Sequence, residues 1–388
     1  MTSTPVTYAD VGTAAGAGLK VLWDRLIFSD PPVAASIPAV GADSEYRAFA
    51  QLDPGGMPLD FIALVRQALD PVQDRIVLAD RNPRRLRPIV LLSTVMGSRP
   101  KFDRFGSPDH HFDVQNALAR DVRAVQALTG GAADVIGIGS GCAAGTSAIG
   151  VAHELIGAGK ADMVVCLGAE MVSLEVLTLF TALGGLSRDA TVRPFDANRT
   201  GMVPGAGWGL VVLEHAQWAC NPLASVQGYG EAADGTSLTL PSPDGIGMRE
   251  AVHQALQQAC LGVDAIGWIC AHGTGTRAND ALEASVYDRI FHARSMSLPC
   301  VSVKGVTGHC QGAAGVIEAA VACRSLEVGE IPPNVGLTDV DPKVLDLQRI
   351  AIPDHAVPLP EGLSVLSTSF GFGGSVAAVL IGRPEPGR

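Results

Sequence analysis

Residues 131–156, GAADVIGIGSGCAAGTSAIGVAHELI, limit what this chain can fold into more than any other stretch. Val135, Ile136 and Ile138 form a short apolar run that predicts a buried strand. A bend of small residues follows, Gly139-Ser140-Gly141, and Cys142 stands at its end. Beyond it Ala143, Ala144, Ser147, Ala148, Val151, Ala152, Leu155 and Ile156 recur at helical spacing and predict a helix with a broad buried stripe. Cys142 therefore sits where a strand turns sharply into a buried helix. Free N–H groups of the first helical turn and the helix dipole favour a thiolate there. The arrangement has the logic of a nucleophile elbow, with sulfur in place of oxygen. The alternative is a small core residue, because free cysteines are often simply buried. The flanking glycines weigh towards catalysis by leaving the sulfur uncovered.

The same pattern of apolar strand, glycine turn and buried helix recurs along the chain. Strands are expected at Pro88–Met96, Asp162–Leu167, GLVVLEHA (209–216), 266–271, CVSVK (300–304), LSVLST (363–368) and VAAVLIG (376–382). Helices are expected within residues 1–30 (VLWDRL), around Asp60–Leu69, over Asp113–Thr129, at 249–261, from near Asn279, and from Val316 to Leu326; 31–56 reads as surface connection and 175–187 as an apolar loop or helix. Strands alternating with buried helices indicate layered α/β architecture. At 388 residues with 47% hydrophobic and 17% charged side chains, the chain can fill two cores of similar size. Pro222 lies in a polar connection, so the expected division is 1–217 and 218–388.

Several function classes are disfavoured. A net charge of −11 argues against general nucleic-acid binding. No charged-then-apolar leader is visible and no run reaches the ~20 apolar residues of a membrane span, so no membrane role is expected. The eight cysteines form no Cys-x-x-Cys pair, which points to neither a metal site nor a disulfide framework and makes a reducing cytoplasm the simplest setting. Against the acidic background one basic patch stands out in DRNPRRLRP: Arg81, Arg84, Arg85 and Arg87. It is either a solvated loop or a dock for an acidic partner.

Two histidines share the placement of Cys142. His272 follows the apolar run IGWICA directly, and His309 closes KGVTGH, five positions after Lys304. Ligand sites in layered α/β folds lie beyond the strand ends, so Cys142, His272, Lys304, His309 and the glycine turn GFGG (371–374) are expected to converge. The chemistry of such a set is coherent. A thiolate takes an acyl group as a thioester. Two neutral imidazoles can donate hydrogen bonds to a second carbonyl and stabilise an enolate, and backbone N–H groups of Cys142 and the GFGG turn can form an oxyanion hole. Lys304 keeps the site electropositive, with Glu318 as a candidate partner. Asp280 and Glu283 read equally well as a capping box for the helix they begin.

These residues lie in stretches that together resemble the elongating type of 3-oxoacyl-(acyl carrier protein) synthase, a beta-ketoacyl synthase of the thiolase superfamily. The stretches are GCAAGTSAIG, RPFDANRTGMVPGAGWGLVVLE, PSPDGIGM, AHGTGTRANDALE, KGVTGHCQGAAGVIEA, IPPN and SFGFGG, in family order from about Asp134 onward. The resemblance implies two similar halves in a five-layered αβαβα sandwich, usually as a homodimer. It implies Cys142 as acyl acceptor, His272 and His309 as the pair handling malonyl decarboxylation, and Lys304 with its partner Glu318. Asp280 and Glu283 then support the site. Phe372 matches a gating phenylalanine whose N–H joins that of Cys142 in the oxyanion hole. Phe370 matches its neighbour, Phe180 an acyl-pocket residue, and Thr274 and Thr276 would hold a phosphopantetheine arm. The implied partner is an acidic acyl carrier protein bearing acyl and malonyl groups, with Arg81, Arg84, Arg85 and Arg87 as its expected dock. No metal or organic cofactor is implied.

The pattern is not followed everywhere. Ala206 stands where the family has an acid, Trp208 where it has a small residue, Gly305 where it has serine, and Val376 where it has asparagine. These departures suggest a specialised member, of secondary metabolism. They leave two alternatives: an acyltransferase passing the acyl group from Cys142 to an amine or alcohol without condensation, and a non-catalytic subunit of a heterodimeric synthase. Retention of Cys142, His272, Lys304 and His309 weighs against the second.

Overall fold

The computed structural model describes residues 2–38, 45–51, 58–95, 97, 114–237 and 242–384. Parts of the connection expected at 31–56, and the expected element ends at Met96 and Asp113, lie outside the described residues. Ten principal strands carry the fold: β1 (Thr4–Thr13), β2 (Ile89–Ser93), β3 (Asp134–Ile138), β4 (Met163–Glu170), β5 (Gly207–Glu214), β6 (Ala224–Ala233), β7 (Ile266–Cys270), β8 (Leu298–Val301), β9 (Ser364–Phe370) and β10 (Ser375–Gly382). They form two runs, β3-β2-β4-β5-β1 and β8-β7-β9-β10-β6. Each run has three parallel strands followed by two antiparallel ones. The chain thus performs one topology twice. The runs join where Thr4–Val6 of β1 pairs with Ala224–Val226 of β6.

Helices fill the faces between and outside these runs. Helices α1 (Leu19–Ile27), α2 (Phe61–Leu69), α3 (Gln73–Asp80), α4 (Val114–Leu128), α5 (Ala144–Gly157) and α6 (Leu174–Ala182) belong to the first half. Helices α7 (Ile246–Ala259), α8 (Arg277–Ile290), α9 (Lys304–Thr307) and α10 (Gln311–Val328) belong to the second. In the central core Leu22 of α1, Ile149 of α5 and Val316 of α10 pack between Val164 of β4 and Val365 of β9. One outer core sets Phe61 and Leu64 of α2 and Val125 of α4 against Val90, Val165 and Val212. The other sets Val252 of α7 and Val286 of α8 against Ile269, Leu366 and Leu380. The order is helices, sheet, helices, sheet, helices, as expected for the five-layered sandwich.

The central layer is held by close backbone approach. A methyl group on Gly145 of α5 would lie 2.7 Å from the Val316 nitrogen of α10, and one on Gly209 of β5 would lie 2.7 Å from the Ile317 nitrogen. Helix α10 is buried continuously from Gln311 to Cys323, which is why its sequence is apolar or small all round. Among the described residues no helix is long and apolar enough to cross a membrane.

Three expectations need correction. The run CVSVK is not strand to its end: β8 stops at Val301 and Lys304 opens the helical turn α9. Helix α10 begins at Gln311, five residues before the expected start, because Gly312 and Gly315 mark tight packing here and do not break the helix. Strand β6 was not expected from ASVQGYGEAA, where alternate glycines weaken the strand signal. Gly228 and Gly230 are needed because α7 lies directly on them, with the Ala251 and Ala255 carbonyls where side chains would stand.

Gly315 packs against the Thr146 backbone nitrogen. Overpacking of this kind costs ~1–3 kcal/mol. Gly315→Ala should therefore lower stability by about that much in urea unfolding, whereas Gly159→Ala, on an open turn with nothing near it, should cost only the strain of its left-handed backbone.

Candidate active site

The carboxyl ends of the strands deliver the reactive groups. After β3 the chain bends through Ser140 and Gly141, whose φ of 61° favours glycine, and enters a short turn, Gly141–Ala143, before α5. Cys142 lies in that turn and is 9% exposed. Strand β7 ends one residue before Ala271-His272, α9 carries Lys304, and His309 follows it. Strand β9 leads into Gly371–Gly374. Gly371 lies against the elbow: a methyl there would sit 2.7 Å from the Ser140 carbonyl oxygen and 3.3 Å from the Cys142 nitrogen. On the other side, a methyl on Gly141 would stand 3.7 Å from the Phe372 nitrogen. The amides of Cys142 and Phe372 thus belong to two turns in direct contact.

All of these reactive groups but Lys304, which is buried behind the wall, line one cavity of about 360 Å³, within the ~300–1,000 Å³ of small-molecule sites. Cys142, His272, His309, Phe370 and Phe372 are on its wall, with Thr274 and Thr276 on one side and Phe180 and Leu183 on another. The His272 and His309 rings meet edge to face with centroids 5.1 Å apart, and Phe370 lies 5.3 Å from His272. Phe180 and Phe372 are 5.2 Å apart, and Phe372 is 39% exposed. The Thr274 and Thr276 hydroxyls are 2.9 Å apart.

Electrostatics assigns protonation states. Burial first, then the Lys304 charge and then His309, push His272 well below the ordinary histidine range; burial and Lys304 do the same to His309. Both rings are neutral, and their Nδ1 atoms take no hydrogen bond from the described residues. Lys304 is 1% exposed and paired with Glu318. Burial alone would lower Lys304, but the Glu318 carboxylate outweighs it and keeps the ammonium charged. Removing one member of such a buried pair costs ~3–5 kcal/mol. Cys142 departs from expectation. Burial, with Glu170 adding to it, pushes its thiol up to about 12 against the pull of Lys304. At rest it is a thiol, because desolvation outweighs the helix terminus.

Asp280 and Glu283 are not a capping box. The N-cap of α8 is Thr276, which accepts from the Asn279 nitrogen. Both carboxylates reach back across the helix start. Glu283 accepts from the His272 and Gly273 nitrogens at 2.7 and 2.8 Å, and Asp280 from the Phe195 and Gly275 nitrogens at 2.9 and 3.2 Å. They hold the loop bearing His272, Thr274 and Thr276.

The basic patch lies elsewhere. Arg85 is bound to Glu214 at 2.7 Å and stacks on Trp218. Arg87 pairs with Asp134 at 3.2 Å, at the amino end of β3. A five-residue strand spans ~17 Å, so these arginines stand at the opposite end of the sheet from Cys142. Arg81 caps the end of α3, Arg84 is exposed, and none of the four lines the cavity. Arg85 and Arg87 thus neutralise acids at strand ends, and the patch expected as the carrier dock stands away from the cavity.

Two further groups brace the site. Asn334 accepts from the Ser302 nitrogen and donates to the Cys300 carbonyl, while Ser302 donates to the Gly273 carbonyl at 2.7 Å. The Pro-Pro-Asn turn was its only sequence signal. Buried Glu170, a charge ending the apolar strand β4, accepts from the Val95 and Gly312 nitrogens.

Neutral buried histidines carry a pH signature. The native state refuses protons that the unfolded chain takes below the ordinary value of 6.5. The stability this confers is fully present above that value and is lost as pH falls below it. The denaturation midpoint should drop from pH 7 to pH 5, and His309→Asn should make the drop shallower; parallel profiles would contradict the assignment.

Comparison with known proteins agrees with this geometry. Residues 123–219 match the model of the beta-ketoacyl synthase N-terminal domain and residues 223–338 that of the beta-ketoacyl synthase C-terminal domain. The chain is 34% identical over 306 residues to the tetracenomycin polyketide synthase ketoacyl synthase alpha subunit of Streptomyces glaucescens, covering 75% of this chain and 70% of that one. It is 34% identical over 256 residues to 3-oxoacyl-[acyl-carrier-protein] synthase 1 of Escherichia coli K12, covering 63% of this chain and 60% of that one. In structure it is similar to the ketosynthase ApeO of Xenorhabdus doucetiae, solved in complex with its chain length factor ApeC. The TM-score is 0.83 at 24% identity, over 98% of each chain.

Proposed function

The chain belongs to the beta-ketoacyl synthase family, and on that footing we propose that it catalyses decarboxylative Claisen condensation between an acyl group on Cys142 and malonyl-acyl carrier protein. The observation that carries this reading is one cavity holding Cys142 and two neutral imidazoles 5.1 Å apart.

In the first step the Cys142 sulfur attacks the carbonyl of an acyl thioester on the carrier's phosphopantetheine arm. The Cys142 and Phe372 amides receive the oxyanion. The carbon–sulfur bond to the carrier breaks, and the thiol proton passes to the departing carrier sulfur. The high resting pKa of Cys142 suits this order, in which the proton leaves only as the acyl group arrives. Malonyl-carrier then enters, with Thr274 and Thr276 beside its arm. The bond to the carboxylate breaks, carbon dioxide leaves, and the electron pair becomes an enolate whose oxygen accepts hydrogen bonds from His272 and His309. Neutral imidazoles suit this role because they stabilise the enolate without protonating its carbon. The carbanion attacks the Cys142 thioester, the 3-oxoacyl-carrier departs, and the cysteine sulfur regains a proton from solvent. Burial, reinforced by Lys304 held charged by Glu318, keeps both histidines neutral.

The repeated strand order supports a division into halves at 1–217 and 218–388. A homodimer, or a heterodimer with a related subunit, is supported by β3. Among the described residues it ends the strand order and pairs only with β2, and its Ile136 is 45% exposed. Eight free cysteines favour a reducing, cytoplasmic setting.

The two histidines and the cysteine can be separated experimentally. Release of labelled carbon dioxide from malonyl-carrier should fall by ~10²-fold or more in His272→Ala, while acylation of Cys142 falls less than tenfold. Equal losses would contradict the assignment. No carbon dioxide from the wild-type protein alongside normal acylation would favour simple acyl transfer to another nucleophile.

A further inference from the structure

We infer that Glu231 is a positioning residue for the turn that carries Cys142, acting through Ser147 and Ser140; the inference rests on the reading of Cys142 as acyl acceptor. Glu231 is on β6, in the second half of the chain, and does not touch the cavity. Its carboxylate closes a directed chain of hydroxyls. The Ser140 hydroxyl donates to Ser147 Oγ at 2.9 Å, and the Ser147 hydroxyl donates to Glu231 Oε1 at 2.9 Å. The Tyr229 hydroxyl donates to Glu231 Oε2.

Ser147 and Tyr229 are placed by packing, whereas Glu231 is exposed and placed by its hydrogen bonds. Ser147 is 2% exposed, in the second turn of α5. The Tyr229 ring lies in the space left by Gly150, three residues further along the same face of the helix, where a methyl group would overlap it. The Glu231 nitrogen donates to Gln254 of α7 at 3.2 Å, which anchors this end of the chain to an outer helix. So β6 grips α5 at two successive positions and orients the hydroxyl that faces the elbow.

The elbow is where this matters. Ser140 has φ −82° and ψ 36°, between the helical and extended regions, and directs the chain into Gly141 and Cys142. Its carbonyl oxygen is the atom Gly371 packs against. Fixing the Ser140 side chain therefore fixes both the Cys142 amide and the seat of the turn that supplies the Phe372 amide. With the acceptor gone, Ser147 is free to turn its hydroxyl elsewhere and Ser140 loses its partner. The oxyanion site then loosens, while the sulfur stays where it is. Displacements of ~1 Å at a reacting centre cost up to ~10²-fold in rate.

The test compares two reactions of the same thiol in the full-length protein. Acylation by hexanoyl-N-acetylcysteamine, a small thioester, needs the oxyanion amides; alkylation by iodoacetamide does not. Glu231→Leu and Ser140→Ala should each slow acylation of Cys142 by about tenfold and leave alkylation within twofold. Glu231→Gln, which keeps an oxygen for Ser147, should restore most of the acylation rate. Wild-type acylation in Glu231→Leu and Ser140→Ala would overturn the inference. So would a parallel loss of acylation and alkylation with a lowered melting temperature, which marks a merely structural role. If the wild-type protein alkylates at Cys142 but never acylates, the catalytic reading itself falls, and the inference with it.

Discussion

Everything in this structure depends on two helices touching backbone to backbone. Helices α5 and α10 cross between the sheets with Gly145 against the Gly315 and Val316 nitrogens. Helix α5 begins with the turn that presents Cys142, and α10 begins just after His309 and carries Glu318, which holds Lys304. The crossing therefore sets the distance between the acyl-accepting sulfur of one half and the charged and imidazole groups of the other. A wider crossing would separate a thiol from its histidines. The glycines of both helices, which weaken helical propensity, are the condition for the site's existence.

The second constraint is electrostatic. The site is buried, and burial acts in opposite senses on its members. It raises the thiol of Cys142 and lowers both imidazoles. A single buried ammonium reinforces the second effect and opposes the first. The outcome is a thiol and two neutral imidazoles at the cavity wall, with the buried charged groups behind them. New charge develops there as substrate reacts, on the oxygen between two amides and on the enolate oxygen facing the histidines. Preorganised donors in such surroundings stabilise developing charge more strongly than water would.

Much of this could be read from the residues. The strand, glycine bend and buried helix around Cys142 are local, and local patterns survive folding. The placement of His272 and His309 just past apolar runs carried their convergence, because strand ends share one edge in layered α/β folds. What was not legible has physical reasons. Gly228 and Gly230 hid β6, because a strand covered by a helix at contact distance needs glycine where strand propensity asks for branched side chains. Asp280 and Glu283 matched a cap by spacing, but the N–H donors they accept from are backbone nitrogens outside the helix, at Phe195, distant in sequence, and at His272 in the preceding loop. That Arg85 and Arg87 are paired was not legible, because their counter-charges, Glu214 and Asp134, lie far along the chain. The Ser140–Ser147–Glu231 chain left no trace, since it joins a helix to a strand through single hydroxyls.

The most direct measurement is intact mass of the protein and its carrier after mixing acyl-carrier and malonyl-carrier with the wild-type enzyme and with Cys142→Ala. The account predicts that the wild-type protein gains the acyl mass and the carrier then bears a 3-oxoacyl chain two carbons longer, with neither change in the variant. Extension that persists without Cys142, or a wild-type protein that is acylated while the malonyl group stays intact, would contradict it.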